Sequence, residues 1–394
     1  MKPNRPAPLR VAIVAQRIWP RVGSLETRAA QLACGLAAAA AEVTIVTARW
    51  HLCWPAEIFY HDIPVVRLYP PPSGRWNAWR WTRALGRWLR GHAAEFDAVC
   101  VWGLMHEAQA AVEAVGRQLP VVLVPERTGW QGDCFRQVDV WSGSRLKRTC
   151  LAARAFVAGS PAARRELEAA GYARERIFDV PCGVPRSPPR TEESQSAARA
   201  TLADANAALQ LPLQAPLAVS TSRLAAGRGW EQLLAAWSIV ARQKPAAQLW
   251  LAGEAPAESA VVRRIAALRL SGRVSLIGMF DDVECLLASA DVHVAPAADG
   301  SAQALVEALA AGAPSVAIDL PLNRWFLGDD AAGLLVPPDN AAALAAAILR
   351  LLDDPALASR LGAAAQQRAE AEFDLGKMVA GYLEMFERVR GSDG

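Results

Sequence analysis

The stretch Val294–Ile318, VAPAADGSAQALVEALAAGAPSVAI, is the part of this chain best suited to hold an anion and a diol. A strand-like run ends at Pro296, a short loop carries Asp299 and Gly300, and a helix is predicted to begin at Ser301, a good N-cap residue type. At Ser301 and Ala302 that helix would offer free N–H groups and the positive end of its dipole, where phosphate oxygens are stabilised. Glu307 falls in the same helix among Leu305, Val306, Ala308 and Leu309. A carboxylate in such company is costly unless something donates to it. A ribose diol would do so with two hydroxyls, and a neighbouring loop or an arginine would serve as well. A second candidate is Ser222–Trp230, SRLAAGRGW, in which Arg223 and Arg228 flank a glycine-containing turn. Two guanidiniums there could clamp a diphosphate through paired N–H donors, or could simply stand in water. A third is Trp19–Glu26, WPRVGSLE, where Gly23 would let backbone approach a ligand closely.

These residues need a scaffold that brings strand ends and helix starts together. The first half alternates short apolar strands (Val11–Ala15, Val43–Thr47, Val65–Leu68, Ala98–Trp102, Val121–Val124, Ala155–Ala158, Ile177–Val180) with helical segments. Apolar runs of four or five residues between helices are the pattern of a parallel sheet buried on both faces. A proline-rich stretch follows, and the alternation restarts at Leu217–Ser220 and continues to two or three closing helices. The predicted fold is α/β, with two doubly wound, Rossmann-like parallel-sheet domains facing across a cleft. The expected boundaries are 1–185, a linker over 186–215, a second domain over 216–372 and a last helix over 373–394. Ligands of such sheets sit at the carboxyl ends of the strands.

Composition narrows the classes further. The 394 residues carry 42 Lys and Arg against 39 Asp and Glu, a net charge of +3, too mild for a dedicated nucleic-acid binder. Seven cysteines, an odd number with no C-x-x-C pair, fit reduced thiols in a cytosolic protein rather than a disulfide framework or a zinc site. No apolar signal-peptide core follows the first ten residues and no window is apolar enough to span a bilayer, so the expected location is the cytoplasm.

Taken in order, these segments resemble the retaining glycosyltransferases of GT-B fold, family 4 type. Asp299 and Glu307 match the family's pair of acids separated by seven residues, with Asp in place of the first Glu. Arg223 and Arg228 match its Arg and Lys on the diphosphate. Gly23-Ser24-Leu25-Glu26 is similar to its GGxE loop, Pro181-Cys182-Gly183-Val184 to its PNGV segment, Leu251-Ala252-Gly253-Glu254 to its G-(D/E)-G loop, and Gly333–Pro337 to GLLVPP. The resemblance implies that the first domain binds a glycan, glycolipid or small glycoside acceptor. It implies that the second binds a nucleotide-diphosphate sugar as co-substrate, with no other cofactor and no metal, and that the last helix, 373–394, returns to the first domain; the chain has no Asp-x-Asp motif. It further implies that Arg223, Arg228 and the helix start stabilise the leaving diphosphate, that Asp299 orients sugar hydroxyls, and that Gly23, Gly253, Gly300, Ser301, Ala302 and Glu307 line the donor.

Two features depart from that pattern or exceed it. The family's "DVVHxH" strand reads Asp97–Trp102 here, with Cys100 and Trp102 at the histidine positions; His106, one helical turn on, is the candidate to replace them, and Glu126 is a further candidate. This loss keeps a second reading open: a catalytically impaired homologue that binds nucleotide sugar or glycan as a partner subunit. The stretch 76–90, WNAWRWTRALGRWLR, places Arg80, Arg83, Arg87 and Arg90 on one helical face and Trp81, Ala84, Leu85 and Trp88 on the other. It fits a sheet-covering helix, with a basic amphipathic helix resting on the inner face of a membrane as the second reading.

Overall fold

The computed structural model describes residues 8–20, 23–129, 132–140, 142–212, 215–225, 227, 229–256, 258–280, 282–296 and 302–391, with the side chains of residues 24, 25 and 302 also outside the description. The chain forms two units. The first comprises β1 (Arg10–Val14), α1 (Ser24–Ala38), β2 (Glu42–Ala48), β3 (Glu57–Tyr60), β4 (Ile63–Leu68), α2 (Gly74–Gly91), β5 (Ala98–Trp102), α3 (His106–Val115), β6 (Val121–Val124), α4 (Asp133–Asp139), α5 (Gly143–Cys150), β7 (Ala155–Ala158), α6 (Pro161–Ala169) and β8 (Ile177–Asp179). Its sheet runs β3-β4-β2-β1-β5-β6-β7-β8. Every pairing is parallel except β3 with β4 at the edge.

The second unit, Val184–Asp374, comprises α7 (Glu192–Ala205), β9 (Leu217–Ser220), α8 (Trp230–Gln243), β10 (Gln248–Ala252), α9 (Glu258–Ala267), β11 (Val274–Gly278), α10 (Val283–Ser289), β12 (Val292–Ala295), α11 (Ala302–Ala310), β13 (Ser315–Ile318), α12 (Pro321–Leu327), β14 (Leu334–Val336), α13 (Ala341–Asp353) and α14 (Pro355–Glu372). Its sheet, β11-β10-β9-β12-β13-β14, is parallel throughout. The last helix, α15 (Leu375–Arg390), belongs to the first unit.

Alternate residues of each strand enter opposite cores, as the pleat requires. Val11 and Ile13 of β1 pack with α1 and α15, while Ala12 and Val14 pack with α2 and α3. Arg10 fixes the start of β1 to the start of β5: its backbone N–H donates to Asp97 Oδ2 (2.9 Å) and its Nη2 to Oδ1 (3.0 Å). From α15, Met378, Val379, Tyr382, Met385, Phe386 and Val389 fill the α1 face of the sheet.

The stretch expected to be a linker, 186–215, is instead part of the second unit. Its Arg190, Gln195 and Arg199 reach the carbonyl end of α10: Arg190 Nη1 donates to Ala288 O (2.9 Å), Arg199 Nε to Ser289 O (2.9 Å) and Gln195 Nε2 to Asp291 Oδ1 (2.8 Å). Those carbonyls have no partner within the helix, so cations and amides are stabilising there. The alternation also gives no sign of β3, α4, α5 and α12, which are short.

Helix α2 settles which of its tryptophans face inward. Ala78, Trp81, Leu85 and Leu89 are buried against the sheet, and Trp88 is half-buried on His92 (ring centroids 4.3 Å apart). Trp76 and Trp79 point outward, 69% and 47% exposed, and stack on each other at 5.0 Å, with the Arg83 guanidinium over Trp79.

Since Phe386 is fully buried in the α1 face, Phe386→Ala should destabilise the first unit by about 3–5 kcal/mol. Urea unfolding checks this, and a change near zero would mean that α15 docks loosely.

Candidate functional site

In the second unit the strand order reverses at β9, flanked by β10 and β12, so the crevice of a doubly wound sheet opens beyond the carboxyl ends of these strands. Three loops meet there. The loop after β10 turns at Gly253, whose φ of +141° is open to glycine and whose missing Cβ would lie 2.8 Å from the carbonyl oxygen of Ser222. Leu224 N donates to Glu254 O (2.9 Å), and the Arg223 guanidinium pairs with the Glu254 carboxylate (3.0 Å). Gly229, at φ +74°, starts α8 in the left-handed region; a Cβ there would lie 1.9 Å from the carbonyl oxygen of Pro296. Backbone touches backbone at both points, which anchors Arg223 and the helix start to the strand ends.

Helix α11 leaves the end of β12 after the segment 297–301. Glu307 is half-buried among Leu305, Val306, Ala308 and Leu309, and Gln303 Nε2 donates to its Oε1 (2.9 Å). Burial pushes its carboxyl up to about 7, and the Gln303 bond opposes that rise. A carboxyl so placed stands ready for hydroxyl donors, which favour its charged form. His293, fully buried on β12, lies 3.3 Å from Ser315 Oγ and 3.5 Å from Thr221 Oγ1. Burial pushes its pKa down to about 3, so it is a neutral structural bridge between strands.

In the first unit the reversal falls at β1, between β2 and β5. Gly23 stands one residue before α1. His106 is the first residue of α3; burial, with Arg136 nearby, lowers its pKa and keeps the ring neutral. Cys100 and Trp102 are both buried in the α1-face core. Burial pushes the Cys100 thiol far up, which removes it as a nucleophile. The same edge holds three acids. Glu107 is 1% exposed and accepts from Gln16 Nε2 (2.7 Å); Asp133 is 2% exposed and accepts from the Glu126 N–H (2.7 Å). Burial first, then the neighbouring carboxylates, pushes Glu126 well above the ordinary range; burial raises Asp133 to about 6 and Glu107 also upward. The group can therefore keep a proton near neutral pH.

Of the residues named from sequence, Arg223 and Gly253 come together, Glu307 lies on the helix that follows β12, His106 opens α3 at the edge of the first sheet, and Gly23 stands just before α1. Arg228, Asp299, Gly300 and Ser301 lie outside the described residues, as does the side chain of Ala302. Gln16, Glu107 and Asp133 went unread in the sequence. The usable signal was an acid or amide within five residues of a strand's carboxyl end, which Gln16 and Glu107 share with Glu126.

The chain matches the family model "Glycosyltransferase Family 4" over residues 25–187 and the model "Glycosyl transferases group 1" over residues 215–354. It is 29% identical over 180 residues to the lipopolysaccharide core biosynthesis glycosyltransferase LpsE of Rhizobium meliloti, covering 45% of this chain and 52% of that protein. It is 33% identical over 169 residues to the phosphatidyl-myo-inositol mannosyltransferase of Mycolicibacterium smegmatis, covering 42% and 43%. The chain thus spans about half the length of these curated relatives. Among solved structures, sucrose-phosphate synthase from Thermosynechococcus elongatus superposes with a TM-score of 0.77 at 22% identity, covering 97% of this chain and 99% of that one. Anabaena Alr3699/HepE in complex with UDP and glucose superposes with a TM-score of 0.75 at 18% identity, covering 96% and 100%.

Proposed function

Because the chain belongs to the glycosyltransferases of GT-B fold, family 4 type, we propose that it moves a hexose, with retention, from a nucleotide-diphosphate sugar to a glycan, glycolipid or small glycoside acceptor. The observation that carries this reading is the knitted crevice of the second unit, where the loops after β9 and β10 and the end of β12 meet around Arg223 and the start of α8. The solved neighbour that holds UDP and glucose supports a sugar nucleotide as donor. Relatives named for lipopolysaccharide core and phosphatidyl-inositol substrates support a lipid-linked or glycan acceptor.

In this reading Arg223 and Arg228 grip the diphosphate from one side and the start of α11, at Ser301 and Ala302, grips it from the other. Fixed donors and a helix end stabilise the charge that develops as the glycosidic bond breaks, and they need no reorganisation to do so. The Glu254 carboxylate holds the Arg223 fork before the diphosphate arrives. Asp299 orients sugar hydroxyls, and Glu307 accepts from the ribose diol. Gly23, Gly253 and Gly300 allow backbone to lie against the donor, and His106 faces the acceptor side. The acceptor hydroxyl attacks from the face the diphosphate leaves, and a phosphate oxygen takes its proton. No divalent cation takes part, so chelation with EDTA should leave turnover unchanged.

Helix α2 supplies a peripheral membrane contact in the same reading, through residues 76–90. It carries five arginines and no acid, and its outward face adds the stacked Trp76 and Trp79. Each arginine near an anionic surface contributes about 1 kcal/mol, and tryptophan favours the headgroup layer. No helix among the described residues is long and apolar enough to cross a membrane.

Three results are expected. Incubated with a panel of nucleotide sugars, the protein should slowly release nucleoside diphosphate from one of them, and Arg228→Ala should lower that turnover on the order of 100-fold while changing donor affinity little. No release from any donor would favour the partner-subunit reading. Glu307 titrates near 7, and ribose hydroxyls bind its ionised form; nucleotide affinity should therefore weaken as pH falls through that value, by up to about tenfold per pH unit. Glu307→Gln should flatten the profile, and an unchanged calorimetric profile would remove Glu307 from the site. Sedimentation with phosphatidylcholine vesicles should capture the protein only when phosphatidylglycerol is included, and Trp76→Ala with Trp79→Ala should abolish capture; equal binding to both vesicle types would overturn the contact.

A further inference from the structure

Arg28, in the second turn of α1, is held in a way that nothing else in the first unit explains. Its guanidinium lies over the Trp102 ring, 5.0 Å from the centroid. Trp102 ends β5, and Gly159 directly follows the end of β7, so both mark the carboxyl edge of the parallel sheet. A Cβ at Gly159 would stand 3.2 Å from Arg28 Nη2, so the bare glycine gives the guanidinium its room. Arg28 Nε is buried and has no hydrogen-bond partner, and among the described residues no carboxylate lies within ion-pair distance of the guanidinium. The neighbouring Trp102 indole N–H is also buried without a partner.

A buried donor on a permanently charged group is costly when it stays unmatched, and stacking on an indole offsets only part of that cost. An arginine held over an aromatic ring, with its Nε unmatched at the ligand end of a doubly wound sheet, is suited to an oxyanion that accepts from that side of the fork. We propose that Arg28, on its Trp102 platform, is an acceptor-specificity residue that binds an anionic group, phosphate or carboxylate, on the sugar acceptor. This rests on the reading that the first unit holds the acceptor. It also gives Trp102 a task at a position where the family commonly has histidine.

The test is calorimetric titration of glucose 6-phosphate, glucuronate, inorganic phosphate and neutral glucose into protein saturated with UDP, so that the diphosphate clamp is already filled. Wild type should bind at least one anionic sugar tenfold or more tightly than glucose. The phosphate and carboxylate arms tell which oxyanion it prefers. Arg28→Gln should abolish the preference while leaving the affinity for UDP unchanged, and Arg28→Lys, which keeps the charge but not the fork, should retain only part of it. The Lys variant decides the matter if Arg28→Gln does not fold. A preference that survives Arg28→Gln, or wild type that binds no anionic sugar better than glucose, overturns the proposal. Loss of UDP binding in Arg28→Gln would place Arg28 on the donor and overturn it too. Should wild type fail to bind any nucleotide, the transferase reading falls, and the anion preference is then read without UDP, again against Arg28→Gln.

Discussion

At the carboxyl end of the second sheet, main chain is pressed against main chain with no space for a side chain. The carbonyl of Ser222 occupies the place of a Cβ at Gly253, and the carbonyl of Pro296 occupies that place at Gly229. A doubly wound sheet leaves a crevice where its strand order reverses, but the loops around that crevice are mobile unless something couples them. Here the coupling is steric and close-range, and it is reinforced by the Leu224–Glu254 and Arg223–Glu254 contacts. In the proposed reading these loops hold a phosphate clamp, which works by keeping its donors in place before the reaction, so their rigidity matters as much as the identity of Arg223.

The two units handle their buried ionisable groups in opposite ways. The second hides one histidine as a neutral bridge between strands and leaves one carboxyl, Glu307, balanced near neutrality with a single amide donor. The first gathers Glu107, Glu126 and Asp133 at one sheet edge, where burial and mutual repulsion keep protons on the group. A carboxylate that waits for hydroxyl donors suits a diol ligand, whereas a protonated acidic cluster suits exchange with hydroxyls and with His106 beside it. In the proposed reading this asymmetry falls between a nucleotide side and an acceptor side.

Much of this architecture was legible in the sequence because a parallel sheet covered on both faces needs uninterrupted apolar strands. VAIVA, AVCVW and VVLV state that directly, and each is a buried strand. The family motifs fall on Arg223 and Gly253 in the loops after β9 and β10 and on Glu307 within α11. What the sequence hid was set by tertiary contact. The stretch around Arg190 to Arg199 reads as a proline-flanked linker, yet its arginines and Gln195 cap the carbonyl end of α10, a partner nearly a hundred residues away. In α2 the helical wheel separated the arginines from Trp81 and Leu85 correctly, and the same period sets Trp76 and Trp79 four residues before Arg80 and Arg83, on the outward face where they are exposed.

The replacement of two histidines at Cys100 and Trp102 looks from the sequence like a loss of catalytic groups. In the fold both side chains are buried on the α1 face of β5, two residues apart as the strand's alternation demands. Cys100 sits wholly within the core, where a small thiol with a strongly raised pKa is well suited and an imidazole would require a buried partner. Trp102, at the strand's last position, trades a titratable ring for a broad neutral face, and that face carries the Arg28 guanidinium. The exchange thus moves the edge from proton handling toward fixed positive charge. In the proposed reading the leaving phosphate takes the acceptor's proton, so the histidines' absence is no argument that the chemistry has been lost.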